Sequence, residues 1–113
     1  MTLKEELEQV TDFEVKQEDK DTCIIITPFV DALDDNIYII AQSMASGLIH
    51  LSDCGNTLFC RLERKDLVQS ACDRYRLTLD VHEIRIYARH DELKAKVNRM
   101  ISALKEINDK LRN

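Results

Sequence analysis

The chain has 113 residues, 44% hydrophobic and 33% charged, with two glycines and one proline. This is the composition of one packed domain over residues 1–113, and it excludes a disordered or collagen-like chain. The net charge of −5 is unevenly divided: residues 1–35 carry eleven acids and three bases, and residues 36–113 carry ten acids and thirteen bases. Such a division fits two solvated faces, or an acidic surface that meets a basic partner by electrostatic steering.

At the start, Thr2-Leu3-Lys4-Glu5 has the spacing of a capping box, and Leu3, Leu7 and Val10 share one face of a short amphipathic helix. Phe13 and Val15 then alternate with polar neighbours. The charged stretch Gln17 to Thr22 suits a hairpin turn before Cys23-Ile24-Ile25-Ile26, an apolar run that reads as a strand buried on both faces. Pro28 ends or edges that strand, because it has no amide hydrogen for a ladder, and Asp31 to Asp35 reads as an exposed connection. Ile37 to Ala41 and Leu48 to Leu51 form the next pair of strands, an antiparallel hairpin around a turn in which Gly47 takes a positive φ.

The polar segment Ser52 to Thr57 offers several side chains that cap backbone amides. It precedes Leu58, Phe59, Leu62, Leu67, Val68 and Ala71, whose spacing predicts one interrupted helix or two short ones. Leu77 and Leu79, then Ile84 and Ile86, alternate with polar residues, which predicts a second hairpin or a single late strand over Glu83 to Ala88. From Asp91 onward, Leu93, Val97, Met100, Ile101, Leu104, Ile107 and Leu111 recur at steps of three and four. They predict a long terminal amphipathic helix capped by Asp91, with its apolar face either core or a seam for a second subunit.

No apolar run reaches the roughly 18–20 residues of a membrane-spanning helix, and Met1 to Glu6 lacks the basic and apolar regions of a secretion signal. The expectation is a cytoplasmic protein that does not enter a membrane. Its four cysteines, Cys23, Cys54, Cys60 and Cys72, are then thiols, mostly core. Asp31, Asp34, Asp35 and Asp53 are the carboxylates to weigh for metal-dependent chemistry, against a role as turn formers. His50, Cys54, Cys60 and Cys72 are suitable zinc ligands by type but lack a Cys-x-x-Cys spacing. Cys54, at a helix start four residues after His50, is a weak candidate nucleophile, and Arg61, Arg64, Lys65 and Arg74 could form a basic stripe for nucleic acid. None of these patterns assigns a catalytic residue, a metal or a cofactor.

Ile26-Thr27-Pro28-Phe29-Val30-Asp31, Asp35-Asn36-Ile37-Tyr38-Ile39 and Leu51-Ser52-Asp53-Cys54-Gly55-Asn56-Thr57-Leu58 together resemble a prokaryotic group known as domain-of-unknown-function family 1828. The shared marks are a strand ending in Thr-Pro-Phe, an Asp before a strand, and a Ser/Thr-Asp-x-Gly-x-Thr-Leu turn, here with Asp53, Gly55 and Thr57. This chain departs from the group at Asp34-Asp35-Asn36, where relatives show a Gly-Asp pair, and at Cys54, where they carry an acidic or polar residue. The resemblance covers roughly residues 20–112 and implies a setting of bacteria, phages and mobile elements, with no reaction attached.

The expected architecture is α+β: a mostly antiparallel sheet of four to five strands covered by helices, with a long C-terminal amphipathic helix. Its core should contain Ile24, Ile26, Ile37, Ile39, Leu51, Leu58, Leu62, Ile84, Ile86, Val97, Ile101 and Leu104. The expected function is a non-catalytic module that binds a larger protein partner such as a nucleic-acid-processing enzyme, in the form of a phage or mobile-element inhibitor of a bacterial defence nuclease. The partner-binding acidic surface would be Glu14, Glu18, Asp19, Asp21, Asp31, Asp34 and Asp35, because carboxylates attract the same Lys and Arg side chains as phosphates do. The alternatives are a small metal-dependent hydrolase or nuclease using Asp31, Asp35 and Asp53, and a nucleic-acid-binding regulator. A homodimer through the C-terminal helix is a separate expectation.

Overall fold

A computed structural model describes residues 1–112; Asn113, the last residue of the expected domain, lies outside them. The chain runs α1 (Leu3–Val10), β1 (Glu14–Asp19), β2 (Thr22–Val30), β3 (Asn36–Ser43), β4 (Ile49–Ser52), α2 (Asn56–Phe59), α3 (Lys65–Tyr75), β5 (Thr78–Asp80), β6 (Glu83–Ala88) and α4 (Leu93–Leu111). The strands form one antiparallel sheet in the order β1-β2-β3-β4-β6-β5. Six strands replace the expected four to five because both short, charged edge strands pair.

The capping box at Thr2 and Glu5 forms, with Glu5 N donating to Thr2 Oγ1 at 3.2 Å and Thr2 N to Glu5 Oε1 at 3.0 Å. Leu3 and Leu7 turn into the core. Along the strands burial has period two: Val15, Cys23, Ile25, Ile37, Ile39, Ala41, Ile49, Leu51, Ile84 and Ala88 are buried against the helices. Cys23 to Ile26 is therefore covered on one face only, and Ile24 and Ile26 lie half-buried on the outer face. Ile24 pairs there with Lys16 and Ile40, and Ile26 with Glu14 and Tyr38. Ile86 is also only partly buried, and Leu62 is exposed. Helix α2 stops at Phe59, and a 3-10 turn over Leu62–Arg64 carries the chain into α3, which swings Leu62 outward.

Pro28 lies inside β2 rather than at its end, where the β2–β3 register breaks between Ile26 and Val30. The Thr27 hydroxyl repairs the ladder by donating to Ile37 O at 2.7 Å and accepting from Phe29 N at 3.3 Å. Helix α4 buries Leu93, Val97, Met100, Ile101, Ala103, Leu104, Ile107, Asn108 and Leu111. The apolar stripe that suggested a seam for a second subunit is thus used within the chain's own core. Asp91 does not cap this helix: Glu92 Oε1 accepts from Arg89 N at 3.0 Å, while Asp91 pairs with Arg89 at 3.3 Å.

Candidate functional site

One end of the sheet gathers the β2–β3 loop, the Asp53–Thr57 turn, the start of β3 and the end of α4. They enclose a cleft of about 280 Å³ lined by Asp31, Asp35, Tyr38, Asp53, Asn56, Thr57, Cys60 and Asn108, with Leu33, Asn36, Ile37 and Phe59 completing its walls. The cleft carries three carboxylates and no Lys, Arg or His side chain.

Each wall follows from local chemistry. Asp31 is buried rather than exposed: its Oδ1 accepts from Leu33 N at 2.8 Å and Asp35 N at 3.1 Å, which folds the loop around the carboxylate. Arg112 fastens the loop to the end of α4 by donating to Asp31 O and pairing with Asp34 at 3.3 Å. Asp34 takes the left-handed conformation at φ 66°, which Asp tolerates better than most residues.

Across the cleft, Asp53 is 1% exposed. Its Oδ1 accepts from Gly55 N at 2.8 Å and Ile84 N at 2.9 Å, and its Oδ2 from Thr57 N at 3.1 Å. One carboxylate thus joins the end of β4, the start of β6 and the first turn of α2. Burial pushes its pKa above the usual carboxylate range, against the lowering effect of those hydrogen bonds. Gly55 sits at φ +80°, and a Cβ there would lie 3.5 Å from His82 O, so the turn needs glycine for conformation first. Leu58, the last motif residue, is fully buried. The Asp-x-Gly-x-Thr-Leu pattern is a folding latch at the cleft wall.

The expected acidic surface is not one face. Asp31, Asp34 and Asp35 occupy the cleft end, whereas Glu18, Asp19 and Asp21 surround the β1–β2 turn at the far end of β2, roughly 25 Å away at the rise of an extended chain. Glu14 pairs with Ile26, toward the cleft end.

The other candidates are dispersed. The Cys54 residue is exposed, but burial of its thiol, then the Asp53 and Glu83 charges, push its pKa up, the reverse of what an activated nucleophile requires. His50 stacks on Tyr87 at 5.0 Å between ring centroids and lies 4.0 Å from Glu83. Burial pushes the Cys72 thiol up to about 12. Cys60 is half-buried just past α2 instead of inside a helix, and its Sγ donates to Asn56 O at 3.2 Å. Among the described residues, no group of three or more His, Cys, Asp or Glu side chains is placed to hold a metal ion. In the basic stripe, Arg61 donates to Leu111 O at 2.9 Å and pairs with Glu63 at 2.6 Å, and Arg74 pairs with Glu106 at 2.6 Å. Two of its four members are therefore engaged within the fold.

Leu33, Tyr38, Asn56, Phe59 and Asn108 line the cleft although the sequence did not mark them as site residues. Asn108 had a readable signal: it falls between Leu104 and Leu111 on the apolar stripe of α4, where a polar side chain is out of place.

The class defined by these features is a small α+β domain whose antiparallel sheet is covered on one face and carries an anionic cleft at its strand ends. Residues 27–107 match the model of the family described as domain of unknown function DUF1828, and the chain belongs to that family. The comparisons with curated proteins and with solved structures found no match. No helix among the described residues is long and apolar enough to cross a membrane.

Proposed function

We propose that this chain is a non-catalytic protein-interaction module that engages a basic partner through the cleft end of the sheet. The observation that carries this reading is the pairing of charge with exposed apolar surface. Leu33 is 64% and Phe59 70% exposed, and both line the cleft that holds Asp31, Asp35 and Asp53. Exposed large side chains beside carboxylates that face no basic side chain in the cleft suit a partner that offers both apolar contact and Lys or Arg. The acidic β1–β2 turn has a less exposed apolar neighbour, Met44, which is 37% exposed and follows Ser43, whose amide donates to Asp21 O at 2.8 Å.

In its finer form, the partner is a nucleic-acid-processing enzyme of bacterial defence and the chain is its phage- or mobile-element-borne inhibitor, acting in the cytoplasm. Carboxylates of the cleft end would then occupy Lys and Arg side chains that otherwise hold phosphate. The test is affinity capture from host lysate with three baits: the wild type, Asp34→Lys/Asp35→Lys, and Asp19→Lys/Asp21→Lys. A stoichiometric partner should be retained by the wild type and by the far-end variant and lost with the cleft-end variant. Equal capture by all three would defeat the reading, and inhibition of the captured enzyme's nuclease activity would test the finer form.

A further inference from the structure

The acidic β2–β3 turn at the rim of the cleft already holds a cation, and that cation is the chain's own. Arg112 Nη2 donates to Asp31 O, and Nη1 lies 3.3 Å from Asp34 Oδ1. Arg112 is 81 residues from Asp31 in the chain, and the last turn of α4 carries it there. Arg61 fastens that turn by donating to Leu111 O at 2.9 Å, and Arg112 N donates to Asn108 O at 3.2 Å.

The β2–β3 turn does not need Arg112 for its shape. Asp31 N donates to Asp35 O at 2.7 Å, Asp34 N donates to Asp31 O at 3.1 Å, and Asp31 Oδ1 accepts from the Leu33 and Asp35 amides. The guanidinium therefore lies against a turn that is closed by its own hydrogen bonds. The Asp34 side chain is 83% exposed and that of Arg112 34% exposed, so water and salt screen the pair and leave it weak enough to exchange. Arg112 uses acceptors at the cleft end that suit a Lys or Arg of a basic partner equally well.

On the interaction reading above, we infer that Arg112 is an internal competitor at the cleft end: it occupies the Asp31–Asp34 turn in the free protein, and a basic side chain of the partner takes its place on binding. Competition and support predict opposite signs. A clasp that held the binding surface in place would make loss of Arg112 weaken the binding of a basic ligand, whereas a competitor makes its loss strengthen that binding.

The probe is acetyl-tetralysine amide, titrated at low ionic strength into the ¹⁵N-labelled full chain. The backbone amides of Leu33, Asp34 and Asp35 report the cleft end, and those of Asp19 and Asp21 at the far acidic turn serve as internal reference. Arg112→Gln should tighten binding at the cleft end roughly two- to fivefold, the span of exposed ion pairs expressed as a ratio, and leave the far turn unchanged. Arg112→Lys, which keeps the cation, should stay near the wild type. Lys110→Gln removes the same charge from a side chain that pairs with Glu106 at 3.5 Å, and it should give no gain. In the wild type, which needs no variant to fold, the Arg112 Nε–H resonance should move saturably together with the Asp34 amide as the probe displaces it. Unchanged or weaker binding in Arg112→Gln, an equal gain in Lys110→Gln or at the far turn, or an Arg112 resonance indifferent to the probe would overturn the inference. If Arg112→Gln gives no gain while partner capture still depends on Asp34 and Asp35, the competitor role falls and the interaction reading stands. If the gain appears while capture ignores those residues, the interaction reading falls and the exchange of Arg112 for an added cation stands.

Discussion

Asp53 shows how one side chain can look catalytic in sequence and act structurally in space. Its two oxygens serve three buried backbone amides, so Asp53→Ala leaves those donors without a partner and should lower the unfolding free energy by about 3 kcal/mol. The group also carries a pH signature. Its pKa in the fold lies above the ordinary 3.8, so the folded state binds the proton more tightly than the unfolded chain. The stability gained by protonation is complete below the ordinary value and is lost as pH rises through the raised one. Urea midpoints measured across acidic pH should show this component in the wild type and not in Asp53→Asn; identical pH profiles would count against it. The same scale explains why Asp31 misled: a run of three acids in five positions around Leu33 looks solvated, yet a carboxylate that organises its own loop amides is drawn inward.

At the scale of elements, the β5–β6 hairpin contains a conflict between sequence and backbone. Its turn places Val81 at φ 57°, a left-handed conformation that β-branched residues rarely adopt, and the side chain is 67% exposed and gains little packing there. Asn tolerates this conformation, so Val81→Asn should stabilise the domain by about 1 kcal/mol, read as a higher thermal midpoint. An unchanged or lower midpoint would mean that Val81 contributes packing that its exposure does not reveal. Elements with a clear period were legible: α1 from its capping box, α4 from its three-and-four spacing, and the β3–β4 hairpin from Gly47, which takes φ 89°. The phase of β2 was not. Cys23 to Ile26 is apolar at every position, so the alternation that would separate the inner face from the outer is hidden. The described helices cover the face that carries Ile25, which makes it core and leaves Ile24 and Ile26 half-buried on the other face.

For the molecule as a whole, residues from all four helices and all six strands pack into or against one apolar cluster. Urea unfolding followed by circular dichroism and by tyrosine fluorescence should therefore give one coincident transition; separate midpoints would divide the chain into independent units. The candidate site was less legible than the fold because it is assembled from segments that are distant in sequence. The β2–β3 loop, the turn after β4 and the last turn of α4 meet only when the sheet is complete. Asp31, Asp35 and Asp53 could be named in advance as interesting acids, but their neighbours Phe59 and Asn108 could not be joined to them by any local pattern.

The Asp53 latch also sets how the native protein opens. The amide of Ile84 lies 31 residues from the carboxylate that holds it, whereas those of Gly55 and Thr57 are held by the same group from two and four residues away. Release of one side chain frees all three, so the start of β6 and the start of α2 behave as a single unit in hydrogen exchange despite their separation in the chain. The Asp53–Thr57 wall of the cleft should therefore open together with the start of β6, next to the edge of the sheet.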